Sequence, residues 1–356
     1  MKFKNKKTIL VAPLNWGLGH ATRCIPIING LLENGYDVLL GSDGAALRLL
    51  EQEFPELNSI SLPSYNISYP EDGRDFKKSI LLKLPQMNAA ARKERKVVKQ
   101  LVAEGLIHGI ISDNRLGVRN KNIPSVYITH QLCVLSGATT FFSSKIHQKF
   151  IKKFDACWVP DYKEEPSLSG QLGYLKKMDP RVRYIGPLSR MERKEAVLEN
   201  DILILLSGPE PQRSLLEKKL IEQFNGTNKK VFLVQGMVED TQKRSTIGNI
   251  ALVNYLTTSA LEKAINKSDL VICRSGYTSL MDMATMNKDV FFIPTPGQFE
   301  QEYLAKRLFD MKMIASCTQD DFSINKLKLI DHFSGWPPLR TEQRDYSKLF
   351  SIFEGE

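Results

Sequence analysis

The chain alternates short apolar runs with stretches of helical period. Residues 8–12, TILVA, make a buried-type strand. After a glycine loop, Ile27, Ile28, Leu31 and Leu32 share one helical face, and Asn34-Gly35 ends that helix. Residues 37–41 form the next strand, and Asp43 is placed to cap a helix over 44–53. Further strand-length runs lie at 107–112, 125–129, 155–159, 183–185, 202–206, 231–234, 250–256, 269–273, 290–293 and 313–316. Helical patterns fall at 277–286, within 321–333, and on Tyr346, Leu349, Phe350 and Phe353. Strands alternating with helices predict parallel sheets covered on both faces, with ligands held at the carboxyl ends of the strands. A chain of 356 residues is too long for one ordinary core, so two domains are expected.

Composition narrows the class. Hydrophobic residues are 42% and charged residues 25%, the balance of a soluble globular protein. No apolar run approaches the ~20 residues of a membrane span. The opening MKFKNKKTILVAPLNWG is basic and then apolar, but it has no small-residue cleavage site, which argues against a signal peptide. The five cysteines are scattered and lack metal spacing, which reads as buried thiols in a reducing compartment. A net charge of +9 calls for an anionic partner: nucleic acid, anionic lipid or sugar nucleotide. No zinc-finger, RNA-recognition or helix-turn-helix signature accompanies that charge, so nucleic acid is not the expected partner.

Two strand ends carry the candidate chemistry. After 269–273 come Arg274, Ser275 and Gly276, then a helix placing Ser275, Thr278 or Ser279, and Asp282 on one face. Free N–H groups at such a helix start favour a phosphate, and Asp282 can accept hydrogen bonds from the two hydroxyls of a ribose. An ordinary turn, with Ser275 as cap and Asp282 solvated, fits the spacing equally well. After 8–12 comes the loop 13–20 with Gly17, Gly19 and His20. A histidine at a helix start is disfavoured as imidazolium, and a neutral histidine in a cleft suits a general base. The alternative is a glycine turn with a capping histidine. Strand 107–112 ends in Asp113, at the same sheet edge as His20.

These motifs resemble the GT-B glycosyltransferases, closest to family 28, which holds the bacterial UDP-N-acetylglucosamine transferase of peptidoglycan synthesis. Arg274-Ser275-Gly276, Asp282, Pro294 and Gln301 match the family's C-terminal motif, and Gly17, Gly19 and His20 match its N-terminal loop. Asp282 stands where the family usually has Glu, and Glu300 where the first of two glutamines would sit. Trp16 and Leu18 replace glycines of the family's loop.

The resemblance implies an α/β chain of two Rossmann-like doubly wound domains facing across a cleft. The first covers 1–186 and is rejoined by a final helix in 341–356; the second covers 187–340 and binds the nucleotide sugar. It implies an inverting, metal-independent transfer from a UDP-sugar to an acceptor hydroxyl, with no cofactor. His20 is the implied base, Asp113 its orienting carboxylate, and His130 the second choice. Donor contacts would come from Arg190, Ser207, Gly208, Leu256, Arg274, Ser275, Gly276, Thr278, Asp282, Gln298 and Gln301. Within 207–211, two prolines and Glu210 replace the family's glycine- and serine-rich diphosphate loop. The acceptor is unknown; family members that meet lipid-linked acceptors point to the basic stretch 74–104 as a peripheral membrane contact, in a cytoplasmic protein on the inner face. A solvated helix face with its apolar side in the core also fits 74–104. Two rivals stay open: a UDP-sugar hydrolase or epimerase on the same fold, and a non-catalytic sugar-nucleotide-binding protein.

Overall fold

The computed structural model describes residues 6–66, 76–134, 140–165, 167–175, 177, 179–208, 210–339 and 345–355; of 76–84 and 141–142 it describes the backbone alone. The first half holds β1 (Thr8–Pro13), α1 (Gly19–Glu33), β2 (Asp37–Ser42), α2 (Gly44–Glu53), β3 (Ser59–Ser61), α3 (Phe76–Ala103), β4 (Gly109–Asp113), β5 (Ser125–Ile128), α4 (Thr140–Ile151), β6 (Ala156–Val159) and β7 (Val182–Tyr184). Its seven strands lie in the order β3-β2-β1-β4-β5-β6-β7 and pair in parallel. Helices cover both faces, so Ile9, Leu10, Val11 and Ala12 are all fully buried. That is why β1 reads as a continuous apolar run and not as an alternation.

The second half holds β8 (Asn200–Leu205), α5 (Gln212–Phe224), β9 (Val231–Val234), β10 (Arg244–Ile247), β11 (Ile250–Val253), α6 (Thr258–Asn266), β12 (Ser268–Cys273), α7 (Tyr277–Thr285), β13 (Val290–Phe292) and α8 (Phe299–Asp310). Its order is β10-β11-β9-β8-β12-β13. All pairs are parallel except the β10–β11 hairpin. The expected doubly wound pair of sheets is therefore present, with one antiparallel edge strand added. Three local expectations are corrected. The run 313–316 makes a single bridge, Phe292 to Ser316, rather than a strand. The helix within 321–333 is a 3₁₀ helix, Ile324–His332. Asp43 precedes α2 but makes no side-chain cap bond, because Arg115 holds its carboxylate.

Each sheet has one point where chain order reverses: between β1 and β4 in the first, and between β8 and β12 in the second. Loops leaving adjacent strands diverge there, one to each face, and open a crevice at the carboxyl edge. Loop 14–18 and Asp113 sit at the first crevice. Residues 206–208, 210–211 and 274–276 sit at the second.

Apolar contact joins the halves. One buried cluster includes Ile28 and Trp158 of the first half, Leu188 and Met191 between the sheets, and Leu280 and Met283 of α7. The last helix, α9 (Tyr346–Phe350), returns to the first half. A side chain at Gly30 would sit 2.7 Å from the Tyr346 ring, so glycine there is what lets α9 seat on α1. Phe353 lies edge-on to Tyr36 and Trp158, and Lys7 Nζ donates to its carbonyl at 2.8 Å.

On α3, Arg92, Lys93, Arg95, Lys96 and Lys99 are exposed, while Ala90, Ala91, Glu94 and Val98 are buried. Over this part the helix is a solvated basic face with its other side packed inward. Of the apolar part of the expected membrane contact, Met87 is half-buried against Leu14, Tyr65, Ala90 and Ala91, and the side chains of Ile80, Leu81, Leu82 and Leu84 lie outside the described residues.

Candidate active site

At the first crevice, Pro13 ends β1 and Leu14 N donates to Asp113 O at 2.9 Å, tying the loop to the β4 end. Gly17 takes φ +72, and no atom lies within 4 Å of where its Cβ would be. The loop therefore leaves open space above Gly17. His20 follows in the first turn of α1, with its side chain 15% exposed. Its Nδ1 lies 2.8 Å from Asp113 Oδ1. Among the described residues no partner is recorded for Nε2. Asp113 is fully buried and His130 nearly so.

Sequence reasoning missed the residue that joins these three. Arg23, one turn after His20 on α1, is 2% exposed. Its Nε and Nη2 donate to both oxygens of Asp113. Nη2 also lies 2.9 Å from His20 Nδ1, and Nη1 lies 3.0 Å from His130 Nδ1. The only sequence signal is the i, i+3 spacing of His20 and Arg23. Burial would push Asp113 up, but Arg23 and His20 bring its pKa down to about 2. Burial lowers the pKa of His20; Asp113 pulls against this, and Arg23 and His130 reinforce it.

Glu300, in the first turn of α8, completes the cluster from the other half. Its Oε1 is 3.0 Å from His130 Nε2, and its Oε2 accepts from Gln131. Against the cost of burial, His130 lowers the Glu300 pKa. The departure from glutamine noted in the sequence thus has a use: it supplies an anion for a histidine of the first half. His130 also stacks on Tyr277, with ring centroids 4.1 Å apart.

The second crevice is built largely from main chain. Gly208 takes φ +100 and is open at its missing side chain. Ser207 is half-buried beside it. Glu210 does not point a bare charge at the crevice, because Arg213 pairs with it at 2.6 Å. Gly276 is the N-cap of α7 with extended backbone and no side-chain cap bond. The nearest atom to its missing Cβ is Gln301 Nε2, at 3.9 Å. An approach to the α7 N–H groups therefore stays clear.

Several expected donor contacts are corrected. Arg274 is 1% exposed, and its Nη atoms donate to the carbonyls of Gln212, Ile293 and Pro294 and to Gln319. It braces three strand-end turns and is not free to grip a ligand. Its Nε has no partner among the described residues, and burial alone lowers its pKa to about 9, with no carboxylate contributing. Ser275 Oγ donates to Gln301 O at 2.9 Å, and Gln301 Oε1 accepts from Thr295 N at 2.8 Å, so both fix the turn. Arg190 faces Thr258 Oγ1 at 3.0 Å and Glu53 Oε1 at 3.5 Å. Glu53 caps α6 across the halves through Thr258 N at 2.6 Å, and that carboxylate captures the arginine expected at a diphosphate. Leu256, expected to serve through its backbone, has its side chain packed in the core. Gln298 is the N-cap of α8.

The two crevices meet. Thr278 Oγ1 donates to Gly19 O at 3.0 Å, and Tyr277 OH to Pro160 O at 2.8 Å. One turn further along α7, Asp282 is 8% exposed and accepts from Ser189 Oγ at 2.7 Å. Burial raises its pKa to about 6, opposed by Arg190 and Ser189.

Comparison with known proteins agrees with this architecture. Residues 209–330 match the glycosyltransferase family 28 C-terminal domain. An uncharacterized glycosyltransferase of Methanosarcina mazei is 23% identical over 309 residues, covering 80% of this chain and 79% of its own. The solved glycotransferase of kitacinnamycin aligns at TM-score 0.62 with 11% identity, over 91% of this chain and 89% of that one. The spinosyn rhamnosyltransferase SpnG, complexed with thymidine diphosphate, aligns at TM-score 0.56 with 15% identity, over 91% and 90%. The molecule has the GT-B fold of glycosyltransferases. Within that class it resembles family 28, and the matches support glycosyl transfer as its chemistry.

Proposed function

We propose that this protein transfers a sugar from a nucleoside diphosphate donor, uridine being the expected base, to an acceptor hydroxyl with inversion. The observation that carries the reading is that His20, paired with Asp113 and with no partner on Nε2 among the described residues, lies at the first crevice where α1 touches the first turns of α7. A base on one half and an anion-favouring helix start on the other are what such a transfer needs.

Asp113 accepts a hydrogen bond from His20 Nδ1–H, leaving the Nε2 lone pair to remove the acceptor's proton. The acceptor oxygen attacks the anomeric carbon from the side opposite the departing diphosphate. Negative charge grows on that diphosphate, and the α7 start at Gly276, the open turn at Ser207 and Gly208, and the uncompensated charge of Arg274 behind them offset it. No metal is needed on this reading. Asp282 holds the ribose once its hydroxyls displace Ser189. His130 does not serve as base: Arg23 only donates, so Nδ1 accepts from it, and Nε2–H is committed to Glu300. The division at 186/187, with 341–356 returned to the acceptor side, belongs to the same reading, as does contact of the basic α3 face with a lipid-borne acceptor.

The test is a panel of UDP-, dTDP- and GDP-sugars in thermal-shift and product assays, with and without EDTA. The expected result is selective stabilisation by one UDP-sugar and a product of inverted anomeric configuration that chelation does not suppress. Release of UDP with water as the only acceptor would replace transfer by hydrolysis. Stabilisation by dTDP-sugars alone would replace uridine, and retained configuration would remove His20 from its role.

A further inference from the structure

Arg23 stands in an arrangement that the role of His20 does not by itself require. One buried guanidinium faces the Nδ1 atoms of two histidines and both oxygens of one carboxylate. Arginine keeps its proton and has no lone pair to offer, so every contact it makes is a donation. At His130 the consequence is simple: Nδ1 is bare and the ring proton sits on Nε2, toward Glu300. At His20 two partners compete for one atom. Asp113 Oδ1, at 2.8 Å, asks Nδ1 to carry a proton; Arg23 Nη2, at 2.9 Å, asks it to accept one. The first arrangement leaves Nε2 a base. The second turns Nε2 into a donor.

We propose that Arg23 is a positioning residue that keeps His20 neutral and sets the balance between its two ring tautomers, by sharing Asp113 with it. The proposal rests on the reading of His20 as the base. Arg23 occupies both oxygens of Asp113, so His20 interacts with a carboxylate already neutralised. The remaining groups around the ring do not supply the missing charge. Cys24 on α1 is a neutral thiol bonded to Asp113 at 3.8 Å. His130, after β5, is itself held by Arg23. Glu300, on α8, is engaged by His130 and Gln131. Thr278, the α7 residue that contacts Gly19, is uncharged. Burial and Arg23 together then hold the imidazolium down. A base that stays neutral to low pH is available across the whole working range, at the cost of some proton affinity.

The experiment uses the full chain with ring-¹⁵N-labelled histidine, following the nitrogen shifts of His20 with pH in the wild type, Arg23→Met, Asp113→Asn and the double variant. Removing Arg23 should raise the His20 midpoint by about one pH unit or more and move its neutral form toward the Nδ1–H tautomer. Arg23→Met leaves Asp113 buried with fewer partners; if that variant does not fold, the comparison of Asp113→Asn with the double variant isolates the same change without a bare carboxylate. In the wild type His130 should show the Nε2–H tautomer. An unmoved midpoint and tautomer for His20 in both comparisons would overturn the proposal, whatever the activity does. The acidic limb of the transfer pH profile should move with the midpoint. If the midpoint moves and the limb does not, Arg23 still tunes His20, and the assignment of His20 as base fails instead.

Discussion

The two crevices of this molecule solve opposite problems. At the first, five ionisable side chains are packed into one cluster: Asp113 and Glu300 as anions, Arg23 as cation, and two histidines with shared contacts. At the second, the lining is a positive-φ glycine and a bare helix cap, backed by a buried arginine that pairs with no carboxylate among the described residues. The first arrangement is built to place protons and, with both imidazoles neutral, carries one net negative charge. The second offers a surplus of positive field, with the single titrating carboxylate of Asp282 one turn along α7. Side chains fix where a proton goes, while main-chain dipoles hold a charged group whose exact atoms can vary. On the proposed reading, a fold with one crevice of each kind divides reaction from binding between its halves.

That division can be broken experimentally. The largest effect is expected for His20→Ala: turnover should fall about 10²–10⁴-fold with donor affinity nearly unchanged, as read from kcat against donor binding by calorimetry. Loss of donor binding in step with turnover would erase the distinction between the crevices. Next, Asp282→Ala should weaken donor binding about ten- to a hundredfold while leaving the His20 titration in place. Because the Asp282 pKa is raised to about 6, the wild-type carboxylate protonates as pH falls through that value. Donor affinity should decline over the same range, and the alanine variant should lose that dependence.

A smaller effect concerns stability. The Asp113 pKa is lowered from 3.8 to about 2, so its ionised form favours the folded state. That contribution, on the order of 2 kcal/mol, is present above about pH 4 and lost as pH falls toward 2. Denaturant melts of the wild type across this range should show the loss, and Asp113→Asn should lack it. Smallest of all, exchanging Arg92, Lys93, Lys96 and Lys99 for glutamine should leave transfer to a water-soluble acceptor unchanged and reduce sedimentation with vesicles rich in anionic lipid. Equal sedimentation would confine the basic face of α3 to solvation.

The same contrast explains what could be read in advance. Strands such as 8–12 and 202–206 were legible because burial on both faces leaves continuous apolar runs. The chemistry of the first crevice was partly legible, since His20 and Asp113 end or follow such runs. Arg23 was not: it looks like one basic residue among many until β4, 90 residues further on, brings Asp113 against it. At the second crevice the Arg274-Ser275 motif was visible, but not its use. Both side chains turn inward to brace neighbouring turns, and the groups left facing the opening are backbone atoms that no residue type announces. Strand β10 escaped for another reason. It is an exposed edge, RSTI, held by a hairpin and carrying no buried face.

The seat of α9 has a consequence for biosynthesis. Gly30 and Gly109 leave notches that Tyr346 and Phe353 fill, so the front half completes its hydrophobic surface with side chains translated after the whole rear half. Vectorial folding on the ribosome can bring the early strands together, but the finished front half has to wait for its last tile. A nascent chain arrested before residue 346 would leave the Tyr36 and Trp158 rings exposed, and would be a ready client for chaperones.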